Sequence, residues 1–308
     1  MSSRHRLSSL ALLFSFALPS AAQQLVPPPD ACRLSAQETL QASQRQARAD
    51  YGFMRAKCTN LPMAQRIQCL SEAQTALQDA LELCDDQYTE RLDVCNDLGP
   101  AVYDPQIVPG NFVSGVNHPF FPLQTGVTLV YEKSTPEGLE HIEVTTTGAT
   151  KVILGVTCVE VHDFVVLNGV SVEDTIDWFA QDVAGNVWYF GELALNYENG
   201  ELVDLHGSWR AGVDGAKPGF IMEATPHVGD LYRQEFLVAE AEDLAEVVSL
   251  NRRAVVPYGT FNGCLQTEDF TPIEPNVSER KYYAPGVGLV LSVNLVTGLR
   301  TELVDIRP

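Results

Sequence analysis

Asp177-Trp178-Phe179-Ala180-Gln181-Asp182, then Val183-Ala184-Gly185, then Asn186-Val187-Trp188-Tyr189-Phe190-Gly191-Glu192 is the stretch that decides the fold. Two runs rich in β-branched and aromatic residues flank three residues that suit a type I turn, with Gly185 in the left-handed position. That loop places Asp182 opposite Asn186, Phe179 opposite Tyr189, Trp178 opposite Phe190 and Asp177 opposite Gly191. Side chains alternate across a strand, so this register sends Asp177 and Glu192 to opposite faces of the sheet. Trp178, Trp188 and Phe190 share one face, where they form either core or the concave wall of a pocket for an apolar ligand.

Asn168-Gly169 and Asn199-Gly200 lie on either side of this hairpin. Asn-Gly is the strongest short hairpin signal, because both central residues of the turn need positive φ. The spacing predicts a four-stranded meander over about 156–210. Alternation also marks strands at 126–133 and 139–146, with Pro136-Glu137-Gly138 as the turn between them. Further strands are expected near 231–238, 247–256, 259–267, 280–284, 287–295 and 299–306, and a short helix at Glu240 to Val247. Many antiparallel strands without alternating helices predict a mainly β fold, a meander forming a curved sheet or partial barrel over 126–308.

Upstream the pattern changes. Residues 34–98, rich in Ala, Gln, Leu, Glu and Arg and broken only around Asn60 and Pro62, predict an α-helical hairpin. Residues 99–125, with five prolines, read as a Pro-rich connector. Residues 1–22 carry Arg4 and Arg6, then the apolar stretch Leu10 to Leu18, then Ser20-Ala21-Ala22, and read as a signal peptide; 23–33 read as a linker. The expected location is the periplasm or the exterior, and no transmembrane segment is expected in the mature chain.

Export favours disulfides over thiolate metal sites. Cys32, Cys58, Cys69, Cys84 and Cys95 lie in the helical part, where the spacing suits staples between helices and leaves the pairing open. Cys158 and Cys264 stand alone among the strands and are expected to bridge two of them.

The chain of 308 residues has a formal charge of −20, which argues against nucleic acid as a partner. The acidity also allows calcium, with Asp214 and Asp230 as candidate loop ligands. No zincin pattern, nucleophile elbow or phosphate-binding glycine loop occurs in it. A glycan-directed hydrolase would use Asp177 and Glu192 as its carboxylate pair, but the register expected above separates them. The leading reading is therefore a secreted, non-catalytic protein whose acidic β domain binds an apolar ligand or an envelope protein. A calcium-stabilised structural protein is a further alternative.

The segments Asp177–Asp182 and Gly185–Glu192 resemble a stretch found in secreted bacterial proteins of unassigned function. Ala211 to Gly219 and Lys281 to Leu289 resemble further pieces of the same pattern, so the similarity spans about 119–306. It implies a β domain with a cysteine-bearing appendage, and it transfers no functional residue.

Overall fold

The computed structural model describes residues 30–308; the expected signal peptide and most of the expected linker lie outside them. Two helices come first: α1 (Ala31–Thr59) and α2 (Met63–Leu98). Asp30 caps α1 by accepting the Arg33 backbone N–H at 2.9 Å, so this helix starts ahead of the predicted residue 34. Mostly small side chains are buried between the two helices, Ala36, Ala47, Ala73 and Cys84 among them, which lets the backbones run close together.

Two disulfides staple the hairpin. Cys32–Cys95 closes its base, and Cys58–Cys69 closes its tip across the break before Met63. Cys84 is a free, buried thiol. The base is tied to the strands by Arg91, whose guanidinium donates to both carboxylate oxygens of Glu242 at 2.9 Å, with both side chains under a tenth exposed. Gln87 adds a bond to the Ile273 carbonyl at 2.8 Å.

Within the expected connector, β1 (Val116–His118) and β2 (Phe121–Leu123) form a small hairpin. The meander follows as β3 (Thr128–Thr135), β4 (Gly138–Ile153), β5 (Val156–Leu167), β6 (Val170–Gln181) and β7 (Val187–Glu198), with short β8 (Glu201–Asp204) and β9 (Trp209–Arg210) laid against β7. The second half holds β10 (Lys217–Met222), β11 (Leu231–Arg233), β12 (Glu235–Phe236), β13 (Leu244–Val256) and β14 (Gly259–Phe270). It ends with β15 (Ser278–Ala284), β16 (Gly288–Asn294) and β17 (Arg300–Arg307). The helix expected at Glu240 to Val247 is absent: a turn leads into β13, where Leu244, Ala245 and Val247 are fully buried. Tertiary burial overrides the local preference of the Ala-Glu run.

The sheet order is β11-β13-β14-β15-β16-β17-β3-β4-β5-β6-β7-β10-β12, all antiparallel. Its two ends are consecutive in the chain. Residues 231–236 pair with β13 through β11 and with β10 through β12, so one bent segment closes the sheet on itself. A closed ring surrounds an interior space into which other parts of the chain can insert. Phe121 enters that space, with its ring 5.2 Å from Phe179 of β6 and 6.5 Å from Tyr283 of β15, strands on opposite sides of the ring.

Cys158 and Cys264 are not bridged. Both are free and fully buried, and they sit in separate apolar clusters, Cys158 with Trp178 and Phe190, Cys264 with Ala254 and Leu291. The expectation of a strand-clamping disulfide is thereby corrected: two isolated cysteines on strands far apart in the sheet order share no contact. Burial pushes the Cys158 thiol up to about 12, so neither exchange nor alkylation is favoured in the native state. Mass spectrometry after alkylation should show protection of Cys84, Cys158 and Cys264 in native protein and all three labelled in guanidinium, with 32–95 and 58–69 linked. Any other linkage would contradict this arrangement.

Candidate functional site

The loop at 182–186 has the expected form. Gly185 has φ 105°, and Asp182 donates its N–H to the Asn186 carbonyl at 2.9 Å. The Asp182 carboxylate holds the turn together, accepting the backbone N–H groups of Ala184, Gly185 and Asn186 and the Trp188 indole N–H, each at 2.9 Å. Away from the turn, Gln181 pairs with Val187, Ala180 with Trp188 and Phe179 with Tyr189.

There the expected register ends. The next pairs are Trp178 with Gly191 and Asp177 with Glu192, leaving Phe190 as an extra residue. This is a β-bulge. It overturns the inference that Asp177 and Glu192 lie on opposite faces: they are direct cross-strand partners on one face. Gly191 makes the bulge possible. Its φ is 144°, and a Cβ there would lie 2.6 Å from the Trp209 carbonyl oxygen. A glycine inside a strand pattern is the signal that could have revealed the shift.

The Tyr189 hydroxyl joins the two carboxyls, 2.5 Å from Asp177 Oδ1 and 2.8 Å from Glu192 Oε2. A phenol has one proton to donate. With a carboxyl oxygen on each side, the phenol donates to one, and the other carboxyl must carry a proton and donate back. Burial raises Asp177 to about 7, and burial followed by the charge of Asp177 raises Glu192 to about 8. Both carboxyls are thus raised toward neutral pH, chiefly by burial.

Strand pairing puts more charge on the same inward face. Asp163 lies on β5 two positions from the partner of Asp177, and Glu173 precedes Asp177 on β6. Burial, then Asp177 and Glu173, push Asp163 up to about 8, and its Oδ1 is a buried acceptor with no hydrogen-bond partner among the described residues. Glu235 and Asp243 add two further carboxyls near the pair, both raised chiefly by burial. Positive charge on this face is spent locally, Lys281 on Asp269 at 3.0 Å and Lys133 on Glu140 at 3.1 Å. Among the described residues, Asp163, Asp177 and Glu192 have no cationic partner within salt-bridge distance. Each nonetheless keeps partial contact with solvent.

The other predicted sites are placed differently. Phe190 is fully buried and Trp178 is 5% exposed, with Phe112 of the connector 5.6 Å from the Phe190 ring and 6.1 Å from Trp188. Trp178 and Phe190 are thus part of the core, and Trp188 is half-buried against it. Asp214 is exposed in a turn, and Asp230 accepts the His227 backbone N–H. They occupy different loops, and among the described residues no three His, Cys, Asp or Glu side chains are arranged to hold a metal ion. Sequence reasoning assigned no role to Tyr189 or Asp163: Tyr189 gains its second carboxyl neighbour only through the shifted register, and Asp163 joins the face through the pairing of β5 with β6.

Carboxyls with raised values in the folded state stabilise it most below their unfolded values, about pH 4, and this stability is lost as pH climbs through about 7 for Asp177 and about 8 for Glu192. The isosteric amide of Asp177→Asn avoids the cost of ionisation at that position. Its melting temperature should exceed that of the wild type by a few degrees at about pH 9 and match or fall below it at about pH 5. A difference independent of pH would contradict the buried pair.

No family model and no curated protein matches the chain. Among solved structures it is similar to a crystal structure described as a "putative lipoprotein" from Parabacteroides distasonis ATCC 8503, at 14% identity and a TM-score of 0.35. The match covers 61% of this chain and 98% of that one. At that level of similarity it carries no argument about fold or function.

Proposed function

We propose that this is an exported binding protein whose ring of strands holds a small organic cation bearing more than one amino group. The observation that carries this reading is a set of half-buried carboxyls with no cationic partner among the described residues: Asp177 and Glu192, which meet at the Tyr189 hydroxyl, and Asp163 on the neighbouring strand. Charge in a low-dielectric interior is unfavourable until it is paired. A bound polyamine would supply that pairing and leave the carboxyls ionised. Asp163 stands two positions along β5 from the partner of Asp177, and carboxyls so placed suit separated amino groups better than one compact metal ion. Two disulfides fit an oxidising compartment, and no helix among the described residues is long and apolar enough to cross a membrane. We prefer a polar ligand to the apolar one expected from the rings, since Trp178 and Phe190 are buried in the core whereas the carboxyls keep contact with solvent.

A hydrolytic reading uses the same pair. Tyr189 limits the separation of the bonded carboxyl oxygens to two hydrogen-bond lengths laid end to end, which falls in the retaining-glycosidase range of about 5 Å. The phenol, however, fills the space between them where a scissile bond would lie. Binding is the reading preferred.

Spermidine titrated into the protein at about pH 8 should raise the melting temperature and release protons, seen as a buffer-dependent calorimetric heat. Affinity should fall at least tenfold at about pH 5.5, where the carboxyls hold their protons, and at least tenfold in the Asp177→Asn/Glu192→Gln double variant. No response to spermidine, or an equal response in the double variant, would refute the reading.

A further inference from the structure

A cavity of about 200 Å³ lies outside the strand ring, where the base of the helical hairpin meets the outer wall. Ala36 and Val94 from the helices face Phe236 and Val238 from the wall, so most of its lining is apolar. Arg233 also lines it and is only 8% exposed. Its guanidinium lies 4.7 Å from the Phe236 ring centroid and 5.6 Å from that of Tyr103.

A guanidinium has five N–H donors and cannot discharge at ordinary pH. Among the described residues none accepts a hydrogen bond from Arg233, whereas the neighbouring cations are satisfied. Arg91 is held by Glu242 at 2.9 Å, and Lys217 is bonded to Asp104 at 2.7 Å and to the Tyr103 carbonyl at 2.6 Å. Glu242 is itself occupied, accepting from Arg91 and from the Ala239 backbone N–H at 2.6 Å. Aromatic faces offset part of the charge but do not satisfy donors in the guanidinium plane. A buried, unpaired cation at the edge of an apolar cavity is the complement of an amphipathic anion.

We propose that this cavity binds an alkyl carboxylate, its head group paired with Arg233 and its chain lying between Val94 and Phe236. A single free cation beside the Glu242 carboxylate suits a monoanion, and a doubly charged phosphate would leave negative charge uncompensated. This site is separate from the carboxyl set and does not depend on it.

The test is calorimetric titration of the full mature protein with octanoate, with octylamine and octanol as controls. Octanoate should bind and the two controls should bind at least tenfold more weakly. Arg233→Met should abolish octanoate binding, and Arg233→Lys, which keeps the charge without the planar fork, should weaken it about tenfold. Val94→Phe, which fills the cavity and leaves Arg233 in place, should also abolish binding, so the outcome does not hinge on how well one variant folds. Failure of octanoate to bind, equal binding of octylamine or octanol, or undiminished binding by folded Arg233→Met would each overturn the proposal.

Discussion

The extra residue at Phe190 is the constraint on which the reading of this protein depends. One residue inserted into β7 shifts the pairing on the far side of the bulge, and a one-residue shift exchanges the faces of every side chain beyond it. Without it, Glu192 would face away from Asp177 and Tyr189 would have one carboxyl neighbour. With it, two acids and a phenol meet inside a closed ring of strands and must share protons. Gly191 makes the shift sterically possible, because the Trp209–Arg210 backbone crosses where any side chain would lie. A local backbone feature thus sets the ionisation of the interior.

Closure of the sheet gives that pair its environment. An open, curved sheet would leave the inward acids in bulk water, where carboxyls ionise near pH 4. Residues 231–236 bridge the two sheet ends, and the connector hairpin sends Phe121 across the ring between Phe179 and Tyr283. The helical hairpin docks beside this closing segment through the Arg91–Glu242 pair. It therefore covers the outer side of the segment whose inner side neighbours the acids, and the cavity beside Arg233 forms where the two bodies meet.

The turns were legible in the sequence because their chemistry is local. Asn168 and Asn199 have φ near 50° with glycine following, and Asp182 caps its loop as its sequence context predicts. The helical hairpin was legible for the same reason, since its composition and its break at Asn60 to Pro62 are local signals. What escaped was decided at long range. The bulge answers to Trp209, some eighteen residues downstream of Gly191. The helix expected at Glu240 to Val247 yields to the burial of Leu244 and Val247. Cys158 and Cys264 are each flanked by β-type sequence, yet the strand order places them in separate clusters. The site residues of greatest consequence, Tyr189 and Asp163, could not be read until the faces were known.

The most direct test of this account is a ¹³C titration of the Asp177 and Glu192 side-chain carboxyls by NMR, in the wild type and in Tyr189→Phe. The shared-proton arrangement predicts two coupled midpoints well above pH 6 in the wild type, both displaced when the phenol is removed. Two independent midpoints near pH 4, unchanged in Tyr189→Phe, would show that the carboxyls neither meet at Tyr189 nor lie in the closed interior.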